Sequence, residues 1–166
     1  MTLGTRVLYS DGSLGPTGHS MRENARHVPE TVERFLDSTL DSVDQAEELA
    51  SGAAGRAGFD EDDLMRIGMA VREAMVNAVA HGNRYNANKK VRFSLSHSPK
   101  RFTIVIADEG EGFDFDSLPD PLAPENLLRT SGRGIFLIRS FMDDVQLRHL
   151  ESGGTEVTLV KNVESK

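Results

Sequence analysis

Apolar and polar positions follow two different periods along the chain, first one typical of helices and then one typical of strands. From Leu64 to Ala78, apolar residues recur every three or four positions, which is the spacing of one face of an α-helix. Asp60 is placed to cap the first turn of this helix, and Gly82 is placed to end it. The pattern therefore predicts a long amphipathic helix between these two residues.

Two shorter elements are predicted before this helix. An apolar alternation over residues 32–36 predicts a short edge strand. A helix is then expected to begin at Asp41 and to run to about Ser51, where Gly52 and Gly55 should stop it.

After the long helix the period changes to that of strands. Strict alternation and β-rich runs predict two hairpins with a short helix between them. The predicted elements are strands at 91–95 and 102–107, a helix at 135–142, and strands at 145–150 and 155–160. Because the strands arrive as hairpins, we expect an α+β fold with helices layered on one face of a mainly antiparallel sheet.

The chain is expected to form one domain behind a disordered extension. Residues 1–30 scatter glycine and proline among polar residues without an apolar period, so this segment cannot bury enough surface to offset its ordering entropy. Residues 31–163 carry all the periodic patterns. The whole chain of 166 residues is long enough for one hydrophobic core.

Charge and composition exclude several classes of function. Lys and Arg number 19 against 26 Asp and Glu, a net charge of −7, which argues against direct binding of nucleic acid or of an anionic membrane. The absence of cysteine excludes disulfides, thiolate zinc sites and cysteine nucleophiles. With no apolar run of about 18 residues and no apolar leader, a cytoplasmic protein is expected.

The first candidate group of functional residues lies on the long helix. Glu73 and Asn77 are four residues apart, so they share one face of the helix. A glutamate can act as a general base, and an asparagine oxygen suits Mg²⁺. An exposed polar pair without a function is the plainer alternative.

The second group follows the predicted strand at 102–107, where residues 108–114 read Asp-Glu-Gly-Glu-Gly-Phe-Asp. Asp108 can accept a hydrogen bond from an amino group, while Gly110 and Gly112 leave room for a flat ring beside the backbone. A calcium loop fits poorly, because glycines occupy its third and fifth ligand positions. An acidic turn remains the alternative.

The third group precedes the short helix, where residues 131–138 read Ser-Gly-Arg-Gly-Ile-Phe-Leu-Ile. Gly132 and Gly134 place backbone N–H groups at a helix N-terminus, which favours an anion. Arg133 adds a bidentate donor for phosphate. The segment lacks the third glycine of a dinucleotide fingerprint and the lysine of a P-loop, and an ordinary glycine turn is the alternative.

Together the three groups supply partners for the adenine ring and the phosphates of ATP and for the metal ion that accompanies them. The sequence resembles the GHKL (Bergerat-fold) ATP-binding superfamily, specifically its anti-sigma-factor serine/threonine kinases. Residues 73–82 are similar to the N box, 108–113 to the first glycine box, and 132–138 to the second. The resemblance covers about residues 32–161, with the boxes in the family's order. It implies an α+β fold that is a two-layer sandwich of helices on a mixed, mainly antiparallel sheet, in agreement with the predicted elements.

The resemblance implies a role for each matching residue. Glu73 would orient or deprotonate the substrate hydroxyl, and Arg133 would act on the terminal phosphate. Asn77 would be the Mg²⁺ ligand. The residues implied to hold the nucleotide are Asn77, Asp108, Gly110, Gly112, Gly132, Arg133, Gly134, Ile135 and Thr155. Arg72 replaces a small residue of the family and is expected to point away from Glu73, because one residue rotates a helix by about 100°.

The resemblance also implies a function. The protein would bind Mg-ATP, phosphorylate a small antagonist protein and sequester a sigma factor, so that it regulates transcription through proteins; a homodimer is implied as well. One alternative is an ATP-binding partner-switching module without significant kinase activity. Another is the catalytic domain of a histidine kinase, which needs a phosphoacceptor histidine on a preceding helical hairpin, whereas His19 and His27 lie in the predicted extension.

Overall fold

A computed structural model describes residues 30–111 and 133–164, which form a sheet with helices on one face. In chain order the elements are β1 (Glu30–Asp37), α1 (Leu40–Arg56), α2 (Glu61–Val76) with a π-helical turn (Asn77–Gly82), β2 (Lys90–His97), β3 (Arg101–Ala107), α3 (Arg133–Phe141), β4 (Asp144–His149) and β5 (Thr155–Asn162). Of the predicted extension, only Glu30 is included, as the first residue of β1.

The five described strands are ordered β1-β2-β3-β5-β4, and each neighbouring pair among them is antiparallel. The predicted α+β class is confirmed, and β1 is an edge strand as expected. The parallel pairing implied by a mixed sheet does not occur among these strands: β3 and β4 run in the same direction, but β5 lies between them and is antiparallel to both.

The core lies between the sheet and the helices. Alternate residues of the central strands are fully buried, which is the period-two pattern of a sheet with one covered face. The largest fully buried side chains are Phe93, Phe102, Ile67, Met75, Ile104, Ile106, Ile138, Leu159, Val43, Val71, Val79 and Val91. The opposite face carries polar pairs, including Arg92 and Arg148 on the two carboxylate oxygens of Glu156.

Helix α1 is longer than its glycines predicted. The expected stop at Gly52 and Gly55 is wrong, because α1 continues through both to Arg56. One glycine costs a helix only about 1 kcal/mol, and the buried alanines of α1 offset that cost by packing in the core. Gly58, two residues beyond the end of α1, has a φ of +92°, and Phe59 donates to the carbonyl of Ala54 at 3.2 Å, as in a Schellman motif.

Helix α2 begins where the sequence predicted. The side chain of Asp60 accepts a hydrogen bond from the N–H of Asp63 at 2.9 Å. Arg72 points to α1, where it pairs with Asp44 at 2.8 Å and Glu47 at 2.6 Å. Its expected orientation, away from Glu73, is therefore confirmed.

The end of α2 departs from regular helix geometry. The backbone N–H of Asn83 bonds to the carbonyl of Ala78, five residues earlier, at 2.8 Å. This wider turn accommodates one extra residue, a feature that often occurs at functional sites. It carries the chain from Asn77 to Gly82 and delivers Gly82 beside the end of β3.

Candidate functional site

The start of α3 lies against the polar face of α2. A Cβ built on Gly134 would be 2.9 Å from Oε2 of Glu73 and 3.7 Å from Nδ2 of Asn77. Glu73 and Asn77 are both half-buried. Two of the three groups predicted from sequence, about sixty residues apart along the chain, therefore meet at one place.

Asp108 lies at the end of β3, where it is only 8% exposed. Its Oδ1 accepts hydrogen bonds from the N–H of Gly110 at 2.9 Å and of Thr155 at 3.2 Å. Burial raises the pKa of Asp108 above its ordinary value, although those two N–H groups and the charges of Lys89 and His149 partly oppose the rise. Among the described residues, its Oδ2 accepts no hydrogen bond.

Three glycines pack the backbone tightly around Asp108. A Cβ on Gly82 would overlap the Asp108 carboxylate, and one on Gly110 would overlap the carbonyl of Gly82. A Cβ on Gly154 would overlap the carbonyl of Asp108, and Gly154 has a φ of +68°. Its N–H also donates to the carbonyl of Gly110 at 2.5 Å. These glycines therefore hold the carboxylate in place.

A narrow cavity of about 10 Å³, room for one water molecule, opens in front of Asp108. Its walls come from α2, the π-helical turn, the sheet and α3: Ala74, Asn77, Ala78, Ile106, Asp108, Ile135, Ile138, Thr155 and Val157. The hydroxyl Oγ1 of Thr155 is buried there without a hydrogen-bond partner among the described residues. The cavity is thus mainly apolar, with the polar groups of Asn77, Asp108 and Thr155 in its wall, and a flat heterocycle could enter only if the walls moved apart.

The structure thus brings most of the predicted site residues together. Those around the cavity and the start of α3 are Glu73, Asn77, Asp108, Gly110, Gly134, Ile135 and Thr155. Arg133 is the first residue of α3, but its side chain lies outside the described part of the structure. Gly112 and Gly132 lie outside it too, so their predicted roles are untested.

The donor set suits a magnesium ion bound together with a nucleotide. Residues 30–111 and 133–164 contain no group of three or more His, Asp or Glu side chains able to hold a metal. Asn77 offers a single neutral oxygen. Mg²⁺ commonly takes one or two protein ligands and completes its shell with phosphate oxygens and water, so Asn77 fits that type of site.

Asn83 is a residue of this site that the sequence did not reveal. It is 2% exposed, and its Oδ1 accepts from the N–H of Glu109 at 2.7 Å. A polar residue after a helix-ending glycine is ordinarily solvent-exposed, so neither period nor motif marked it. Gly82 was marked in the sequence as the end of the long helix and of the N-box segment, but its packing against Asp108 was not expected.

The sequence profile of the histidine kinase-like ATPase domain family matches residues 36–161. The chain belongs to this family. The match spans every described element from the end of β1 to β5 and includes the cavity, so the resemblance inferred from the three boxes is confirmed, and with it ATP binding.

Relatives of the chain are serine-protein kinases by name. The protein named serine-protein kinase RsbW is 31% identical over 141 residues in Halalkalibacterium halodurans, covering 81% of this chain and 85% of the relative. Its Staphylococcus epidermidis counterpart is 33% identical over 142 residues, covering 81% and 88%. That of Bacillus subtilis is 32% identical over 117 residues, covering 67% and 72%.

A solved structure shows the same fold. The RsbU and RsbW domains of a Mycobacterium tuberculosis protein superpose with a TM-score of 0.59 at 16% identity, covering 82% of this chain. The chain spans about a third of that larger protein, 34% of its length. No helix among the described residues has the length and apolar character needed to cross a membrane.

Proposed function

We propose that the protein is an ATP-dependent serine/threonine kinase that phosphorylates a small antagonist protein and sequesters a sigma factor. The observation that carries this proposal is the contact between Gly134 and Glu73, which puts a carboxylate beside the N-terminus of α3. A phosphate bound at that helix N-terminus would lie close to the Glu73 carboxylate, which can act as a general base. The relatives named serine-protein kinase support the same reaction.

The adenine ring occupies the cavity in front of Asp108. Its amino group donates to Oδ2 of Asp108, and the hydroxyl of Thr155, which has no hydrogen-bond partner among the described residues, gains one at the same edge of the ring. Ile135 and Ile138 of α3 face it, with Ile106 from the sheet. Because the cavity is narrower than a purine, its walls must move apart when the base enters.

The phosphates extend from the cavity to the start of α3. Backbone N–H groups at Gly132 and Gly134 and the guanidinium of Arg133 neutralise their charge. Asn77 would supply its amide oxygen to the Mg²⁺ that accompanies the nucleotide. When bound, the ion would offset the charge of the phosphates, which matters in a protein whose own net charge is −7.

Glu73 acts on the hydroxyl of the substrate. As the serine or threonine oxygen attacks the γ-phosphorus, its proton passes to the Glu73 carboxylate. The bond between the γ-phosphorus and the bridging oxygen breaks, and ADP leaves. Glu73 is one helical turn from Asn77, so the nucleophile and the ion-bound phosphate meet on one helix face.

The protein partners are proposed from the kinase family that the sequence resembles. A sigma factor and its antagonist are proteins, which agrees with the acidic composition that disfavours direct DNA contact. Both partners act in the cytoplasm, where we place this protein. The family also supports a homodimer.

The proposal is tested by incubating the protein with γ-labelled Mg-ATP and a candidate antagonist. Glu73→Gln should bind ATP within about threefold of the wild type but lose transfer by about a hundredfold or more, the size of a general-base contribution. Glu48→Gln, which changes an exposed glutamate on α1, is the matched control and should keep full activity.

Two results would count against the proposal. If ATP binding is demonstrated but the wild type produces no phosphoprotein, the protein is a partner-switching module and not a kinase. If Glu73→Gln loses binding in proportion to transfer, Glu73 holds the nucleotide and is not the base.

A further inference from the structure

Asn83 uses its whole amide group inside the protein. Besides accepting from the N–H of Glu109, it donates through Nδ2 to Oγ of Ser38 at 2.9 Å and to the carbonyl of Lys90 at 3.0 Å. An asparagine amide has two N–H donors, and here both have partners. The side chain is therefore held in one orientation at 2% exposure.

The acceptor end of Asn83 holds the backbone next to Asp108. The N–H of Glu109 belongs to the peptide group that joins Asp108 to Glu109, so its hydrogen bond fixes that peptide plane. A second tether acts on the same residue, because Oε2 of Glu109 accepts from the N–H of Lys90 at 2.5 Å. Contacts with Asn83 and Lys90 therefore fix the backbone direction just after Asp108, where the chain continues beyond β3.

The other connections of Asn83 lead to the π-helical turn. Its own N–H bonds to the carbonyl of Ala78, a cavity residue. Gly82, directly before it, packs against the carboxylate of Asp108. Asn83 therefore joins the helix that lines one side of the cavity to the loop that presents the carboxylate.

We propose that Asn83 is a positioning residue for recognition of the base: it orients the Asp108–Gly110 backbone so that the Asp108 carboxylate meets a purine amino group. This inference rests on the proposed role of Asp108. Asn83 touches no part of the nucleotide. It acts on selectivity, because a carboxylate displaced by a fraction of an ångström loses its alignment with the donor.

Selectivity separates this role from a general contribution to stability. Inosine triphosphate carries an oxygen where ATP carries the amino group, so only ATP benefits from the hydrogen bond to Asp108. Asn83→Ala should raise the Kd for ATP about tenfold, the loss of one charge-assisted hydrogen bond. The Kd for inosine triphosphate should change less than about twofold, so the ratio of the two constants falls about tenfold.

Ser38→Ala is the matched control. Ser38 is 3% exposed and shares a hydrogen bond with the same amide, but it makes no contact with Glu109 among the described residues. Its removal should lower the unfolding temperature while the ratio of the two constants stays unchanged. If Ser38→Ala lowers the ratio as much as Asn83→Ala does, the effect is one of general stability and the inference is overturned.

A second variant serves if Asn83→Ala does not fold. Asn83→Asp loses the Nδ2 donors but keeps an oxygen towards the N–H of Glu109, so it should be less stable and yet retain most of the selectivity. A tenfold loss of the ratio in this variant would overturn the proposal.

Asp108→Asn, measured in the same assay, separates the proposed base contact of Asp108 from the proposed role of Asn83. If it leaves the ratio unchanged, the proposed base contact of Asp108 fails and the inference falls with it. If it lowers the ratio while Asn83→Ala does not, the base contact stands and only the role of Asn83 is refuted.

Discussion

Gly134 and Glu73 are so close that a side chain on Gly134 would displace the Glu73 carboxylate: a Cβ there would be 2.9 Å from Oε2 of Glu73. The first turn of α3 therefore approaches the proposed base with bare backbone. Glycine is needed at this position for space, since no positive φ requires it there.

We expect Gly134→Ala to fold but to transfer phosphate poorly. The added methyl group meets the end of a flexible side chain, so the Glu73 carboxylate moves aside while the backbone stays. Because a base must lie within hydrogen-bond distance of the hydroxyl, kcat should fall about tenfold or more, with a much smaller change in the Kd for ATP. Steady-state transfer and equilibrium nucleotide binding measure the two effects.

Gly55→Ala provides the control for that substitution. Gly55 lies in α1, and a Cβ there meets nothing within 4 Å, so alanine should stabilise the protein by about 0.5–1 kcal/mol without changing activity. Full kinase activity in Gly134→Ala would show that the contact with Glu73 has no part in transfer.

Asp108→Asn should weaken ATP binding but stabilise the folded protein. With Oδ1 held by the N–H groups of Gly110 and Thr155, the asparagine would turn its NH₂ group towards the amino group of adenine. Two donors then face each other, and ATP binding weakens. The folded protein, however, no longer buries a charge.

The difference in stability between the wild type and Asp108→Asn should depend on pH, because the pKa of Asp108 is raised in the folded protein. The folded protein keeps the Asp108 proton to a higher pH than the unfolded chain, whose aspartate has a pKa of about 3.9. The free energy of unfolding of the wild type, relative to Asp108→Asn, should therefore fall as pH rises from about 4 through the folded pKa. Urea unfolding of both proteins across this range measures it, and a relative gain with rising pH would show that burial is not the dominant effect.

Thr155→Val should bind ATP less well and fold at least as stably. The Oγ1 of Thr155 is buried without a described partner, so a side chain of the same shape without the hydroxyl removes a desolvation cost of about 1 kcal/mol or more. Loss of the hydrogen bond to the nucleotide should raise the Kd for ATP about threefold to tenfold. Calorimetric binding and thermal unfolding give both values.

Thr158→Val is a matched control on the same strand, because Thr158 lies outside the cavity. It should leave the Kd for ATP unchanged. If Thr155→Val binds ATP as tightly as the wild type, the buried hydroxyl does not face the nucleotide.

The sequence predicted those features of the fold and of the site that depend on residues close together in the chain. The cap at Asp60, the shared helix face of Glu73 and Asn77, and the position of Asp108 after a strand all follow from short-range patterns, and the structure confirms each. The predicted end of α1 was wrong, because the packing of its buried alanines outweighs the cost of Gly52 in a helix.

What the sequence could not show depends on contacts across the fold. The role of Asn83 exists only because Ser38, Lys90 and Glu109 converge on it from three other segments. The burial of the Thr155 hydroxyl without a hydrogen-bond partner among the described residues likewise depends on the elements that surround the cavity. The extra residue in the turn after Asn77 leaves the apolar period almost unchanged, so periodicity gives no sign of it.

The π-helical turn reaches both ends of the proposed nucleotide site. Asn77 begins the turn and lies near Gly134 at the start of α3, where we propose that the phosphates bind; Gly82 ends the turn and packs against the carboxylate proposed to meet the base. A displacement of this segment would therefore shift both contacts together. We expect a protein partner that displaces it to lower the affinities for base and phosphate in parallel.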